Sequence, residues 1–158
     1  MRRMGAASAA LAALVLSGCA GTIPADPDGT LDRVENGILR VGASPNGEWV
    51  TLSPSGQPQG RDVQLISDFA ARLGARVEWS TGTEHILAER VEEGELDVMI
   101  GGLRKDTPWE KNTGLTRPYA ESLDTQGKKH QHVMLVPKGE NAFLLKLDTF
   151  LKDARGAR

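Results

Sequence analysis

The sequence predicts an α/β fold: a single three-layer domain whose mostly parallel sheet lies between helices. Three observations lead there. Short apolar runs at 38–42, 76–80, 96–100 and 132–136 alternate with segments whose apolar residues recur at helical spacing. Glycine or proline closes these runs and segments, as Gly42, Gly74, Gly94 and Pro137 do. The chain has 158 residues, 39% of them hydrophobic, which suits one domain with an adequate core.

The amino terminus stands apart from this pattern. Arg2 and Arg3 precede an apolar stretch, 6–16, that ends in Leu16-Ser17-Gly18-Cys19. A basic head, an apolar segment too short to span a bilayer and a small-residue end have the layout of a secretory signal peptide. The Leu-Ser-Gly-Cys ending resembles a bacterial lipobox, which implies cleavage before Cys19 and acylation of its thiol. Cys19 is the single cysteine, so a disulfide within the domain is excluded. A thioether-linked diacylglycerol with an amide-linked fatty chain such as palmitate would hold the protein at the extracytoplasmic face of a bacterial membrane (the periplasmic side, or the outer membrane in a Gram-negative cell). Loss of the two leader arginines takes the formal charge from −2 to −4, and nothing in that balance suits nucleic acid. The expected organisation is a signal peptide at 1–18, a lipid-anchored flexible tether at 19–30, a folded domain at 31–154 and a disordered tail at 155–158.

Within the domain, 38–42 (ILRVG) suits a buried strand, and 49–53 with the turn Ser55-Gly56-Gln57-Pro58 suits a small hairpin. A helix over 61–73 places Val63, Ile66, Phe69, Ala70 and Leu73 on one face. Asp62 lies in its first turn as a capping carboxylate, and Gly74 ends it. A strand at 76–80 leads to a helix ending at Gly94, for which Thr81 and Glu84 form a capping box. The strand 96–100 runs into a Gly101-Gly102 turn, and a polar bridge, 120–131, precedes the strand 132–136. Asn141 caps the last helix, with Phe143, Leu144, Leu147, Phe150 and Leu151 as its buried stripe. Ligands of open α/β sheets gather at the carboxyl ends of strands, so the binding site is expected at 101–109.

Five short motifs recur in order: Leu39-Arg40-Val41-Gly42, Pro45 with Trp49, Gly60-Arg61-Asp62-Val63, the run from Gly94 to Gly102, and Arg117-Pro118-Tyr119. Together they resemble the extracytoplasmic solute-binding proteins of amino-acid ABC transporters, family 3. The resemblance implies a periplasmic-binding-protein type II fold, which has two lobes, of which this chain holds one. Its Pro-Tyr corner is followed only by a short bridge and a segment similar to the family's return strand and closing helix.

The resemblance also implies where a ligand would be held. Family members carry hydroxyl residues and then an arginine in the loop after the Gly-Gly strand, and the guanidinium grips an α-carboxylate in bidentate fashion. Aligned without gaps to the Pro-Tyr corner, Arg104 and Asp106 fill the hydroxyl positions and Trp109 the arginine position. The amino-acid clamp is therefore altered. The candidate ligand residues are Trp49, Arg104, Asp106 and Trp109, with Arg104 as a displaced anion contact and the tryptophans as stacking surfaces for an apolar or cationic ligand. The expected partners are a small polar or amphipathic solute, amino-acid-like, the membrane, and a transporter permease, second copy or partner protein. The function expected is a membrane-anchored, non-catalytic substrate-binding component. The alternative is a protein-interaction or regulatory lipoprotein that has lost solute binding. No cofactor is expected, and no Ser-His-Asp set, phosphate loop or carboxylate pair stands out. His130 and His132 point to one side of a strand but have no third ligand, so no metal site is assigned.

Overall fold

The computed structural model describes residues 25–156; the leader, Cys19, the first part of the tether and residues 157–158 lie outside it. Helix α1 (Thr30–Val34) leads into β1 (Ile38–Ala43), the small hairpin β2 (Thr51–Leu52) and β3 (Pro58–Gln59), and helix α2 (Arg61–Arg72). Strand β4 (Arg76–Thr81), helix α3 (Glu84–Glu92) and β5 (Val98–Arg104) follow. A 3-10 turn (Pro108–Lys111), β6 (Thr113–Leu115), β7 (Ala120–Leu123), β8 (Lys129–Pro137) and α4 (Asn141–Gly156) complete the chain.

The sheet runs β4-β1-β5-β8-β6, with β7 also paired to β8. Strands β4, β1 and β5 are parallel, while β8 runs antiparallel to β5, β6 and β7. The α/β class holds, in a mixed sheet built on a parallel centre. Because side chains alternate along a strand, each central strand serves both faces. Val98, Ile100, Met134 and Val136 join the cluster under α2 and α4, whereas Met99, Leu103, Val133 and Leu135 join the cluster under α3. Rings tie the first layer together: Phe69 of α2 lies 5.9 Å from Phe143 and 5.4 Å from Phe150 of α4.

At the amino end of β5, Asp97 is wholly buried and bridges to Arg33 at 2.7 Å and Arg40 at 2.6 Å, while also accepting the Arg40 backbone N–H. Burial by itself would raise this carboxyl, but the bonds from Arg40 and Arg33 outweigh it and hold Asp97 below the usual range.

Several local expectations change in three dimensions. Thr81 is drawn into the ladder opposite Ala43, so it cannot box the next helix, and Thr83 takes the N-cap position without a side-chain bond. Asn141 is the first residue of α4 rather than its cap. Instead, Asp26 accepts the Phe143 N–H from 117 residues away, and Asn141 N–H donates to Ala25 O at 2.7 Å. Residues 25–30, placed in the tether by composition, are thus strapped to α4, with the buried Glu140 receiving the backbone N–H groups of Asp28 and Thr30. Helix α4 also runs on to Gly156, through residues placed in the tail.

The bridge 120–131 is a β-hairpin. Ala120–Leu123 pairs with Lys129–His132, and the Asp124 carboxylate closes the turn by accepting the N–H groups of Gln126 and Lys128. The Gly101-Gly102 pair is likewise not a turn. It lies within β5, where the pairing with β8 shifts register between Met99 and Leu103.

Candidate functional site

Three parallel strands end on the same side of the sheet, so the chain leaving β1, β4 and β5 converges there. The result is a groove of ≈ 320 Å³ lined by Asn46 after β1, Glu84 after β4, and Gly102 to Arg104 with Asp106 to Pro108 around the end of β5. Thr107 is 8% exposed, and its hydroxyl is buried without a hydrogen-bond partner among the described residues. An unpaired buried hydroxyl costs about 1–3 kcal/mol, so a donor-acceptor left bare in a groove wall is a group a ligand can satisfy. Around it, Arg104 meets Asp106 through two bonds of 3.2 Å, and both side chains are exposed. Such a pair is worth little as stability and can open towards an incoming charge. Asn46 Nδ2 donates to Gly101 O at 2.8 Å and ties the first loop to β5. With Glu84, the groove holds two carboxylates and one guanidinium.

A buried polar knot meets the groove at Gly102. Asp62, fully buried at the start of α2, accepts the N–H groups of Gly101 at 3.2 Å and Gly102 at 2.8 Å and the hydroxyl of Tyr119 at 2.7 Å. It is a clamp on β5 and not the helix cap expected of its position. Burial pushes its carboxyl above the ordinary range, against the pull of those three bonds. Burial and the adjacent Asp62 charge raise the Tyr119 phenol, so it stays a donor. Gly102 has φ +60°, and a Cβ there would overlap the Trp49 indole. His132 Nδ1 lies 2.8 Å from Gly102 O, which can only accept, so Nδ1–H donates there, while Nε2 is hydrogen-bonded to the Ser122 hydroxyl 2.7 Å away.

The four residues expected at the site part company. Arg104 and Asp106 line the groove. Trp49 is only 6% exposed and lies beneath it, 4.2 Å from the His132 ring, edge-on to Tyr119 at 6.1 Å and under the Arg61 guanidinium at 4.9 Å. Trp109 stands beside the groove, half-buried against the α3 cluster, donating Nε1–H to Glu84 at 2.8 Å and packing on His85. Glu84, which the sequence suggests as part of a capping box, is a groove residue, as are Asn46 and Thr107, which pattern did not single out. The available signal was Thr107-Pro108: a hydroxyl residue opening a 3-10 turn, one position beyond the ungapped match.

Comparison with known proteins agrees with this frame. The family model described as bacterial extracellular solute-binding proteins, family 3, matches residues 39–157. Among solved structures, a mutant of the arginine-bound form of domain 1 from TmArgBP has 23% identity and a TM-score of 0.71, covering 80% of this chain and 98% of that one. A mutant of ArgBP from T. maritima has 14% identity and a TM-score of 0.72, over 81% of this chain and 94% of its own. An ancestral cyclohexadienyl dehydratase has 14% identity and a TM-score of 0.70, over 80% of this chain and 90% of its own. No curated protein matches. At these identities the structures speak for the fold, that of one lobe of a periplasmic binding protein, and the family model for membership. The chain belongs to the bacterial extracellular solute-binding proteins, family 3.

Proposed function

We propose that the protein is a membrane-anchored, non-catalytic binding component that holds a small amine-bearing, amino-acid-like solute in the groove at the ends of β1, β4 and β5. The observation that carries this is the unpartnered Thr107 hydroxyl, buried in a groove with two carboxylates and one guanidinium. Thr107 and Arg104 offer donors to a carboxylate, and Asp106 and Glu84 offer acceptors to an amine. Arg104 and Asp106 replace the family's expected hydroxyls, and Trp109, braced by Glu84, replaces its arginine, so the ligand grip differs from the usual clamp. Domain 1 of TmArgBP in an arginine-bound form is a precedent for a ligand on a single lobe. An open groove covers only part of a ligand, so binding is weak until a permease, partner protein or second copy closes over it. Lipidation at Cys19 would supply the anchor.

Calorimetric titration with L-arginine and with putrescine tests the site. Saturable binding in the millimolar range is expected, weakened about fivefold by T107V, which removes one hydrogen bond of about 1 kcal/mol. Absence of any amine or amino-acid binding, in a chain that associates with itself or a partner through this face, would instead support an interaction lipoprotein. Trp109 covering the arginine position is the feature that favours that second reading. Mass spectrometry of the membrane-extracted protein tests the anchor: an unmodified Cys19 removes it.

A further inference from the structure

A second cavity, ≈ 210 Å³, lies between the start of α2, β7 and the end of α4. Arg61 and Arg155 line it, with Tyr119, Glu121 and the apolar walls Leu65 and Leu151. Thr107 Oγ1 and Arg61 Nε are the two buried side-chain atoms without a hydrogen-bond partner among the described residues, and they fall in different cavities. Arg61 lies with its guanidinium 4.9 Å from the Trp49 ring centre, half-buried, so Nε is shielded from water and left unpaired. A buried donor in that state is costly unless an acceptor arrives.

The charges in the cavity are unbalanced. Neither Arg61 nor Arg155 forms an ion pair among the described residues; Arg155 reaches only Pro118 O, at 3.5 Å. The carboxylate that lines the cavity, Glu121, is already paired with Lys129 at 3.1 Å. Asp62, the acid next to Arg61, has its oxygens committed to Gly101, Gly102 and Tyr119. Two guanidiniums thus line one small space, and the acids nearest them, Glu121 and Asp62, are already bonded to other groups. Guanidinium donors suit oxyanions with several acceptor oxygens.

We propose that this cavity is an anion site, separate from the solute groove, that takes a small tetrahedral dianion of the phosphate or sulfate class between Arg61 and Arg155. Arg61 supplies a guanidinium held over the Trp49 indole, and Arg155 supplies a second one from the last turn of α4. The anion would join the start of α2 to the end of α4, the two ends that flank Tyr119 and the Asp62 clamp.

Titration of the protein with inorganic phosphate, by calorimetry at low ionic strength, tests the site. One phosphate per chain is expected, with affinity falling steeply as chloride is added. Acetate, planar with two oxygen acceptors and a single charge, should bind at least tenfold more weakly. R155Q, an exposed change at a helix end, should weaken phosphate at least tenfold without altering the melting curve; R61Q should weaken phosphate to a similar extent and R61K less. R104Q, in the solute groove, should leave phosphate affinity unchanged, which separates this site from that one. Lack of saturable phosphate binding, equal affinity in R155Q and wild type, or an equal loss in R104Q and R155Q would overturn the proposal.

Discussion

Replacing Asp62 should do more harm than replacing any exposed charge in the domain. The Asp62 side chain is fully buried and accepts three hydrogen bonds, two from backbone N–H groups of β5 and one from Tyr119. In D62A the Gly101 and Gly102 N–H groups and the Tyr119 hydroxyl lose their acceptor together. At roughly 1–3 kcal/mol for each buried polar group left unsatisfied, less what local relaxation recovers, the loss is about 3–6 kcal/mol. Domains of this size have about 5–15 kcal/mol in total, so D62A should lose a large fraction of the domain's stability. D62N is the informative partner. Its amide oxygen can keep both glycine donors while its NH₂ group faces the Tyr119 oxygen, which can accept, so the loss should be about 1–2 kcal/mol.

Both variants also differ from wild type in their pH dependence. Burial raises the folded-state value of Asp62 above the ordinary 3.8 of the unfolded chain. The folded state therefore binds the proton more tightly, and the stability contributed by this group is present at low pH and lost as pH rises from 3.8 through the raised value. Neither D62A nor D62N titrates at this position, so the penalty of each relative to wild type should shrink across that window. Guanidinium unfolding followed by near-ultraviolet circular dichroism reads the change as a shift in midpoint at constant slope. A D62A loss below about 1 kcal/mol, or equal losses in D62A and D62N, would show that these bonds do not hold the Gly101-Gly102 segment.

Two further outcomes follow from named contacts. D97N leaves Arg33 and Arg40 without their shared carboxylate and should cost about 1.5–3 kcal/mol at neutral pH, the range for hydrogen bonds to charged groups. Asp97 is held below 3.8 in the folded state, so its contribution is present above 3.8 and lost as pH falls through the lowered value; acid titration of unfolding should show D97N converging on wild type at the acid end. G102A combines a left-handed backbone, φ +60°, with a Cβ against Trp49, and strain of about 1–2 kcal/mol plus overpacking of about 1–3 kcal/mol should lower the melting temperature by many degrees. Tryptophan emission should shift with it, because the displaced ring is Trp49; an unshifted spectrum and midpoint would mean that the two residues do not touch.

Much of the frame was legible from local pattern. The periodicity of Val63 to Leu73 and of Phe143 to Leu151 marks two helices, and the apolar runs mark β1, β4 and β8, because burial on one face or two leaves a period in the chain. The position of the groove was also legible, since chain order and apolar runs alone place the 101–109 loop at a carboxyl edge. Residues 120–131 were harder. A polar stretch carries no burial period, and it becomes β7 and a tight turn only because β8 offers an unpaired edge.

Only the tertiary structure decided what each polar residue does. Asp62 has the sequence position of a helix cap, yet its partners are 39, 40 and 57 residues away. Trp49 follows a loop as a ligand-facing aromatic would, yet glycines at 60 and 102 let it settle into the core beneath the groove. Thr107 and Arg61 became candidates because their hydrogen-bond partners are absent within the fold. Periodicity is a property of neighbours along the chain and survives in the sequence. Satisfaction of a buried polar atom is a property of neighbours in space, and it exists only once the chain has folded.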